Sequence, residues 1–115
     1  MPIPDAPSTI TIADLPGQTI PEGYTLLDVR EDDEWEAGHA PGAVHIPLGE
    51  LTERADELGD DDILVICRTG GRSARAAQWL NQSGYDAWNV DGGMTGWAAA
   101  GREIVASDGS VPEIM

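Results

Sequence analysis

The sequence has very little of several residue types on which other classes of protein depend. It contains one cysteine, Cys67, in 115 residues, and it has neither lysine nor phenylalanine. A single cysteine excludes an intrachain disulfide and a cysteine-based metal cluster. No apolar stretch approaches the roughly 18 residues that a membrane span requires, and the first residues lack the basic and apolar segments of a secretory signal. We therefore expect a soluble, cytoplasmic protein with no metal.

Positive charge is also scarce. The chain has 21 acidic residues against six arginines, which gives a formal net charge of −15. Binding to nucleic acid requires a cationic surface that displaces counterions from phosphates, and an anionic membrane surface likewise attracts basic segments. The composition therefore predicts neither a nucleic-acid partner nor a membrane partner.

Short apolar segments alternate with helical segments along the chain. The predicted strands cover residues 9–12, 24–29, a short stretch around Val44, 63–67 and 86–90. The predicted helices cover residues 30–38, 51–58, 73–83 and 93–100. Strands and helices that alternate at this spacing predict an α/β domain with a parallel sheet. We assign an irregular lead-in to residues 1–8, the domain to 9–104 and a tail to 105–115.

Cys67 lies at the carboxyl end of segment 63–67, the most apolar strand, which we expect to be central. Ligands bind at that end of the strands in open α/β sheets. Two glycines follow, and consecutive glycines let successive backbone N–H groups converge on one point and bind an anion. Such a loop, followed by a helix that we expect to begin at Ser73, favours thiolate over thiol. The predicted anion-binding residues are Arg68, Thr69, Gly70, Gly71, Arg72 and Ser73.

Half of the arginines lie within this short region. Arg68, Arg72 and Arg75 fall within eight residues of a chain that is otherwise strongly acidic. Guanidinium groups suit sulfate-like and phosphate-like anions, so we expect these side chains to position an anionic substrate. A lone cysteine is more often a small core residue, but the glycines and arginines here favour a nucleophile.

Four segments, in this order along the chain, resemble the single-domain rhodanese-like sulfurtransferases. They are L-L-D-V-R-E from Leu26, G-H-A-P-G-A-V-H-I-P from Gly38, C-R-T-G-G-R-S from Cys67 and G-G-M-T-G-W from Gly92. The resemblance implies a rhodanese-like fold of three layers, with a central five-stranded parallel sheet and helices on both faces. It also implies that Cys67 carries sulfur as a persulfide and that no cofactor is needed. Ala40 and His45 depart from the family's usual Ile and Asn, and neither lies in the loop.

Two further groups of residues lie near the predicted site. Asp28 and Arg30 flank Val29, so their side chains point to the same side of a strand end. The resemblance makes this pair a support for the loop. His39 and His45 lie in turns next to prolines, and we interpret both as structural residues, because two histidines without a third ligand do not make a metal site.

The resemblance implies sulfur transfer by double displacement. A small anionic donor such as thiosulfate, or a persulfide, would load Cys67, and a thiol or cyanide would accept the sulfur. A phosphatase or arsenate reductase of the same fold is a second hypothesis, but the family's phosphatases place Arg six positions after Cys, whereas Arg72 lies five after Cys67. A sulfur carrier for a dedicated partner and a non-catalytic recognition module are two more hypotheses that the sequence leaves open.

Overall fold

The computed structural model describes residues 8–115, which form one sheet with helices packed on it. The strands are β1 Ser8–Thr11, β2 Tyr24–Asp28, β3 Val44–His45, β4 Asp62–Ile66 and β5 Ala87–Asp91. The helices are α1 Asp32–Ala37, α2 Leu51–Arg54, α3 Gly71–Gln82 and α4 Gly93–Ala99. Single turns of 3-10 helix cover Ile12–Asp14, Leu48–Glu50 and Ala55–Glu57. The strand order is β1-β5-β4-β2-β3 and every pair is parallel, which confirms the predicted five-stranded parallel sheet.

Strand β4 lies at the centre of the sheet, as its apolar sequence predicts. Its residues 63–66 are each at most 1% exposed, because side chains alternate between two covered faces. Ile63 and Val65 pack with residues of α2 and α3, whereas Leu64 and Ile66 pack with Met94 and Trp97 of α4 and neighbouring residues. Helices therefore cover both faces, and the carboxyl end of β4 lies between them.

Most predicted boundaries are wrong by one or two residues. The largest difference is in α2, which ends at Arg54 rather than at Leu58, because a 3-10 turn over Ala55–Glu57 takes the place of the rest of the predicted helix. Helix α3 begins at Gly71 rather than at Ser73, because Gly70 adopts a φ of 128° and the chain enters the helix immediately afterwards. Strand β1 includes Ser8, which pairs with Trp88, although the sequence pattern assigns Ser8 to the lead-in; the rest of that lead-in lies outside the described residues. The longest helix, α3, has 12 residues, and no helix in the described range is long and apolar enough to cross a membrane.

The last residues run back along α1. His39 and Val105 form an antiparallel bridge with N···O distances of 2.9 and 2.8 Å. Further on, the N–H of Glu113 donates to the carbonyl of Ala37 at 3.0 Å, and a Cβ on Gly38 would collide with the Glu113 carbonyl oxygen. The tail over 105–115 is thus attached to α1, and the division of the chain at residue 104 stays a prediction.

Candidate active site

The sulfur of Cys67 lies inside a short loop between β4 and α3. The backbone N–H of Gly70 donates to Sγ at 3.1 Å, and the Ser73 hydroxyl lies 3.3 Å from it. Cys67 is only 1% exposed, so the thiol sits at the base of the loop. Both donors approach the sulfur from the side of α3, as expected for a loop that binds a negative charge.

Glycines allow this loop to close tightly. Gly70 has a positive φ, and Gly93, at the start of α4, has a φ of 55°. The N–H of Met94 donates to the Cys67 carbonyl at 2.8 Å, and that of Thr95 donates to the Arg68 carbonyl at 3.0 Å. A Cβ on Gly93 would collide with both carbonyl groups, so only glycine permits this approach. The first turn of α4 therefore holds the loop carbonyls, while the loop N–H of Gly70 faces the sulfur.

The environment lowers the pKa of the Cys67 thiol below its ordinary value. Burial raises the pKa, but hydrogen bonds from the Ser73 hydroxyl and from the backbone N–H groups of Ser73, Gly70 and Thr69 outweigh burial. These donors stabilise the thiolate, which is the nucleophilic form of cysteine.

Ser73→Ala is expected to move the pH at which Cys67 reacts to a higher value, because the variant loses a hydroxyl donor to the thiolate. The measurement is the rate of alkylation by iodoacetamide as a function of pH, with the wild type titrating below the free-thiol value of about 8.5. Ser83→Ala, an exposed change at the other end of α3, is the matched control and should leave the midpoint unchanged. Equal midpoints in wild type and Ser73→Ala would contradict this role of the hydroxyl.

Sequence reasoning missed the contact between Ser73 and Asn89. Asn89 lies on β5 and is 7% exposed, and its Oδ1 is 2.5 Å from Ser73 Oγ. The single hydroxyl hydrogen of Ser73 is therefore shared between Asn89 and Cys67. Nothing in the local sequence connects these two positions, which are 16 residues apart.

Arg72 forms a bidentate ion pair with Glu34 of α1. Its Nη1 and Nη2 atoms lie 2.6 and 2.9 Å from the two carboxylate oxygens. The hydrogen bonds from Arg72 lower the pKa of Glu34 to about 2, so the carboxylate is ionised at physiological pH. The sequence predicts that Arg72 faces an anionic substrate, and the structure instead places its guanidinium on an acidic side chain. The run of acidic residues at 31–34 is the only local signal of this pairing, but it predicts no more than a favourable helix start.

Arg68 and Arg75 are both exposed, and neither forms an ion pair with a residue in 8–115. They are therefore the accessible cations among the three arginines that follow Cys67. Gly71, the remaining loop residue, is the exposed first residue of α3.

Asp28 and Arg30 form a buried pair at the end of β2, beside the strand that leads to Cys67. Both residues are 0% exposed, and Arg30 Nη2 lies 2.7 Å from Asp28 Oδ2. The same nitrogen donates to the carbonyl of Gly38 at 2.7 Å. The pair therefore joins β2 to the end of α1, and neither charged group is accessible to substrate.

The two histidines contact the backbone and Trp35. His39 Nδ1 donates to the Trp35 carbonyl, and His45 Nε2 donates to the Arg30 carbonyl, each at 2.7 Å. Both imidazole rings stack nearly parallel to the Trp35 ring, with centroid distances of 3.7 and 4.7 Å. Between residues 8 and 115 no three His, Cys, Asp or Glu side chains are grouped as metal ligands.

The fold and the loop together define an α/β protein with a cysteine that accepts hydrogen bonds at the carboxyl end of its central strand. The family model for the rhodanese-like domain matches residues 13–100 of the sequence, and the chain belongs to that family. A solved rhodanese-related protein from Thermoplasma volcanium superimposes with a TM-score of 0.78 and 37% identity, covering 85% of this chain and 97% of that one.

Several relatives have names that refer to sulfur. The chain is 47% identical over 78 residues to the candidate sulfur carrier protein YrkF of Bacillus subtilis, covering 66% of this chain and 42% of that protein. It is 42% identical over 77 residues to the candidate sulfurtransferase YtwF of the same organism, covering 66% and 75%. It is 37% identical over 90 residues to a protein of Allochromatium vinosum named sulfurtransferase, covering 76% and 84%. The chain thus spans less than half of YrkF and most of the other two.

Proposed function

We propose that this protein is a sulfurtransferase that carries sulfur as a persulfide on Cys67. The observation that carries the proposal is the convergence of the Gly70 N–H and the Ser73 hydroxyl on Sγ, which stabilises a thiolate. The names of YtwF and of the Allochromatium vinosum protein support the reaction class.

The reaction would proceed in two displacements. The Cys67 thiolate attacks the outer sulfur of thiosulfate or of a persulfide, a new S–S bond forms, and the S–S bond of the donor breaks. The electron pair leaves with sulfite or with the donor thiolate. An acceptor thiolate or cyanide then attacks the outer sulfur of the Cys67 persulfide, which releases the Cys67 thiolate and gives a new persulfide or thiocyanate.

The loop would stabilise each charged state. Backbone N–H groups from Arg68 to Ser73 would donate hydrogen bonds to a persulfide carried on Cys67. The exposed Arg68 and Arg75 are proposed to attract the anionic donor from solvent. Asp28 and Arg30 act as supports, because both are fully buried.

The direct test is mass spectrometry of the protein after incubation with thiosulfate or with cysteine persulfide. We expect one added sulfur atom on the peptide that contains Cys67, and its removal by cyanide. Absence of added sulfur with either donor would overturn the proposed function. Transfer from the loaded protein to a protein thiol but to no small acceptor would identify a dedicated sulfur carrier, as the name of YrkF indicates for that relative.

Phosphatase activity is expected to be negligible. Arg72 lies five positions after Cys67 and is paired with Glu34, so it is turned toward a carboxylate that repels phosphate. Hydrolysis of an aryl phosphate, measured beside sulfur loading in the same preparation, checks this expectation. A phosphatase rate comparable to the sulfur-transfer rate would favour phosphate chemistry over sulfur transfer.

A further inference from the structure

The ion pair between Arg72 and Glu34 changes the charge beside the Cys67 loop. Arg72 is in the first turn of α3, directly before Ser73, whose hydroxyl lies 3.3 Å from Cys67 Sγ. Both of its terminal nitrogens are bonded to the carboxylate of Glu34, whose side chain is 14% exposed. Because the two charges cancel, this arginine of the first helical turn adds no net positive charge for an incoming anion.

Further carboxylates also lie close to the loop. Glu31 and Glu34 form the reciprocal capping box at the start of α1, so a second carboxylate lies beside the one that binds Arg72. On the β5 side, Asp91 Oδ1 lies 3.7 Å from the point where a Cβ on Gly70 would stand. Of the three arginines that follow Cys67, Arg68 and Arg75 have no ion pair in the described range, and both are exposed, where water and salt weaken their fields. The loop is therefore flanked by negative charge on two sides.

We propose that Glu34 is a specificity-determining residue that favours sulfane-sulfur donors with one negative charge or none over dianions such as thiosulfate. The favoured class includes persulfides and thiosulfonates. This inference rests on the proposed sulfur-transfer function. The physical reason is that the second charge of a dianion gains little from the neutralised Arg72 and is repelled by the nearby carboxylates.

Two donors isolate the effect of charge. In both thiosulfate and methanethiosulfonate, the outer sulfur is bonded to a sulfonyl-type sulfur. Methanethiosulfonate has a methyl group in the place of one negatively charged oxygen of thiosulfate. With thiosulfate, Cys67 thiolate gains the sulfur as a persulfide and sulfite leaves with the electron pair. With methanethiosulfonate the same S–S bond forms, and methanesulfinate leaves with the electron pair. The ratio of the two kcat/KM values therefore measures how much the extra negative charge of thiosulfate changes its reaction with Cys67.

Glu34→Gln is the variant that tests the proposal. Glutamine keeps an oxygen for the N–H of Glu31, which now donates to Glu34 at 3.0 Å, so the start of α1 is preserved. Removing the carboxylate charge leaves the positive charge of Arg72 without its counterion. We expect the ratio of kcat/KM for thiosulfate over that for methanethiosulfonate to rise about fivefold, the change that one nearby charge produces between donors that differ by one charge.

Glu57→Gln is the matched control. Glu57 is also paired with an arginine, Arg54, at 2.8 Å, but it lies on the exposed surface after α2. This variant loses the same unit of charge and should leave the donor ratio unchanged. If Glu34→Gln changes both donors by the same factor, Glu34 is a structural residue and the inference is wrong, although the proposed function stands. If no donor loads sulfur onto Cys67, the proposed function itself fails.

A second measurement serves if Glu34→Gln does not fold, which thermal unfolding would show. In the wild type, raising ionic strength from low to physiological should increase kcat/KM for thiosulfate more than for methanethiosulfonate, because salt screens the repulsion of the second charge. An equal response of the two donors, or a larger gain for methanethiosulfonate, would contradict the inference.

Discussion

Cys67→Ser is expected to abolish sulfur transfer, with kcat/KM lowered by at least about a thousandfold and no sulfur retained on the protein. A serine hydroxyl does not ionise near neutral pH and cannot form a persulfide. The fold should persist, because the change is nearly isosteric and the Gly70 N–H that bonds Sγ would bond the hydroxyl instead. The measurement is thiocyanate formation from a sulfane donor and cyanide, together with the mass of the protein.

A double variant tests whether any thiol would suffice. Cys67→Ser combined with Ser83→Cys moves the thiol to the exposed end of α3, away from the loop donors. We expect this variant to be as inactive as Cys67→Ser. Measurable turnover by purified Cys67→Ser would be incompatible with a persulfide on Cys67, and full activity of the double variant would show that the loop donors around Cys67 are not needed.

Asp28→Asn is expected to lower the free energy of unfolding by about 3 kcal/mol, because it leaves the Arg30 charge buried without its counterion. Arg30 is fully buried, and three of its hydrogen bonds to the Asp28 carboxylate, at 2.7 to 3.1 Å, satisfy its Nε and Nη2 atoms. Arg30 Nη1 has no hydrogen-bond partner in the described part of the chain, so the ion pair is the main compensation for burying the guanidinium.

Urea denaturation measures this loss. Asp32→Asn is the matched control, since its side chain is 80% exposed, and it should change the free energy of unfolding by no more than about 0.5 kcal/mol. A loss below about 1 kcal/mol in Asp28→Asn would mean that the pair contributes no more than a surface ion pair.

Much of the fold can be predicted from the sequence because the signals are local. The apolar run at 63–66 predicts a strand covered on both faces, and it is the central strand. Alternation of strands and helices predicts the parallel sheet, and the position of Cys67 at the end of β4 follows from the same pattern. The sequence places the start of α3 two residues late, because consecutive glycines are typical of a loop, whereas only Gly70 has the positive φ that ends the loop.

The electrostatics of the site depend on contacts between distant parts of the chain. The sequence by itself determined that a cysteine and three arginines lie at the carboxyl end of a buried strand, because strand pattern and loop composition are local properties. Only the tertiary structure decided that Arg72 is bonded to Glu34, 38 residues away, and that Asn89 shares the Ser73 hydroxyl. Helix periodicity depends on residues that are close in the sequence, whereas ion pairs and hydrogen bonds form between any side chains that folding brings close in space. The partners of Arg72 and Ser73 therefore depend on how α1, α3 and β5 pack.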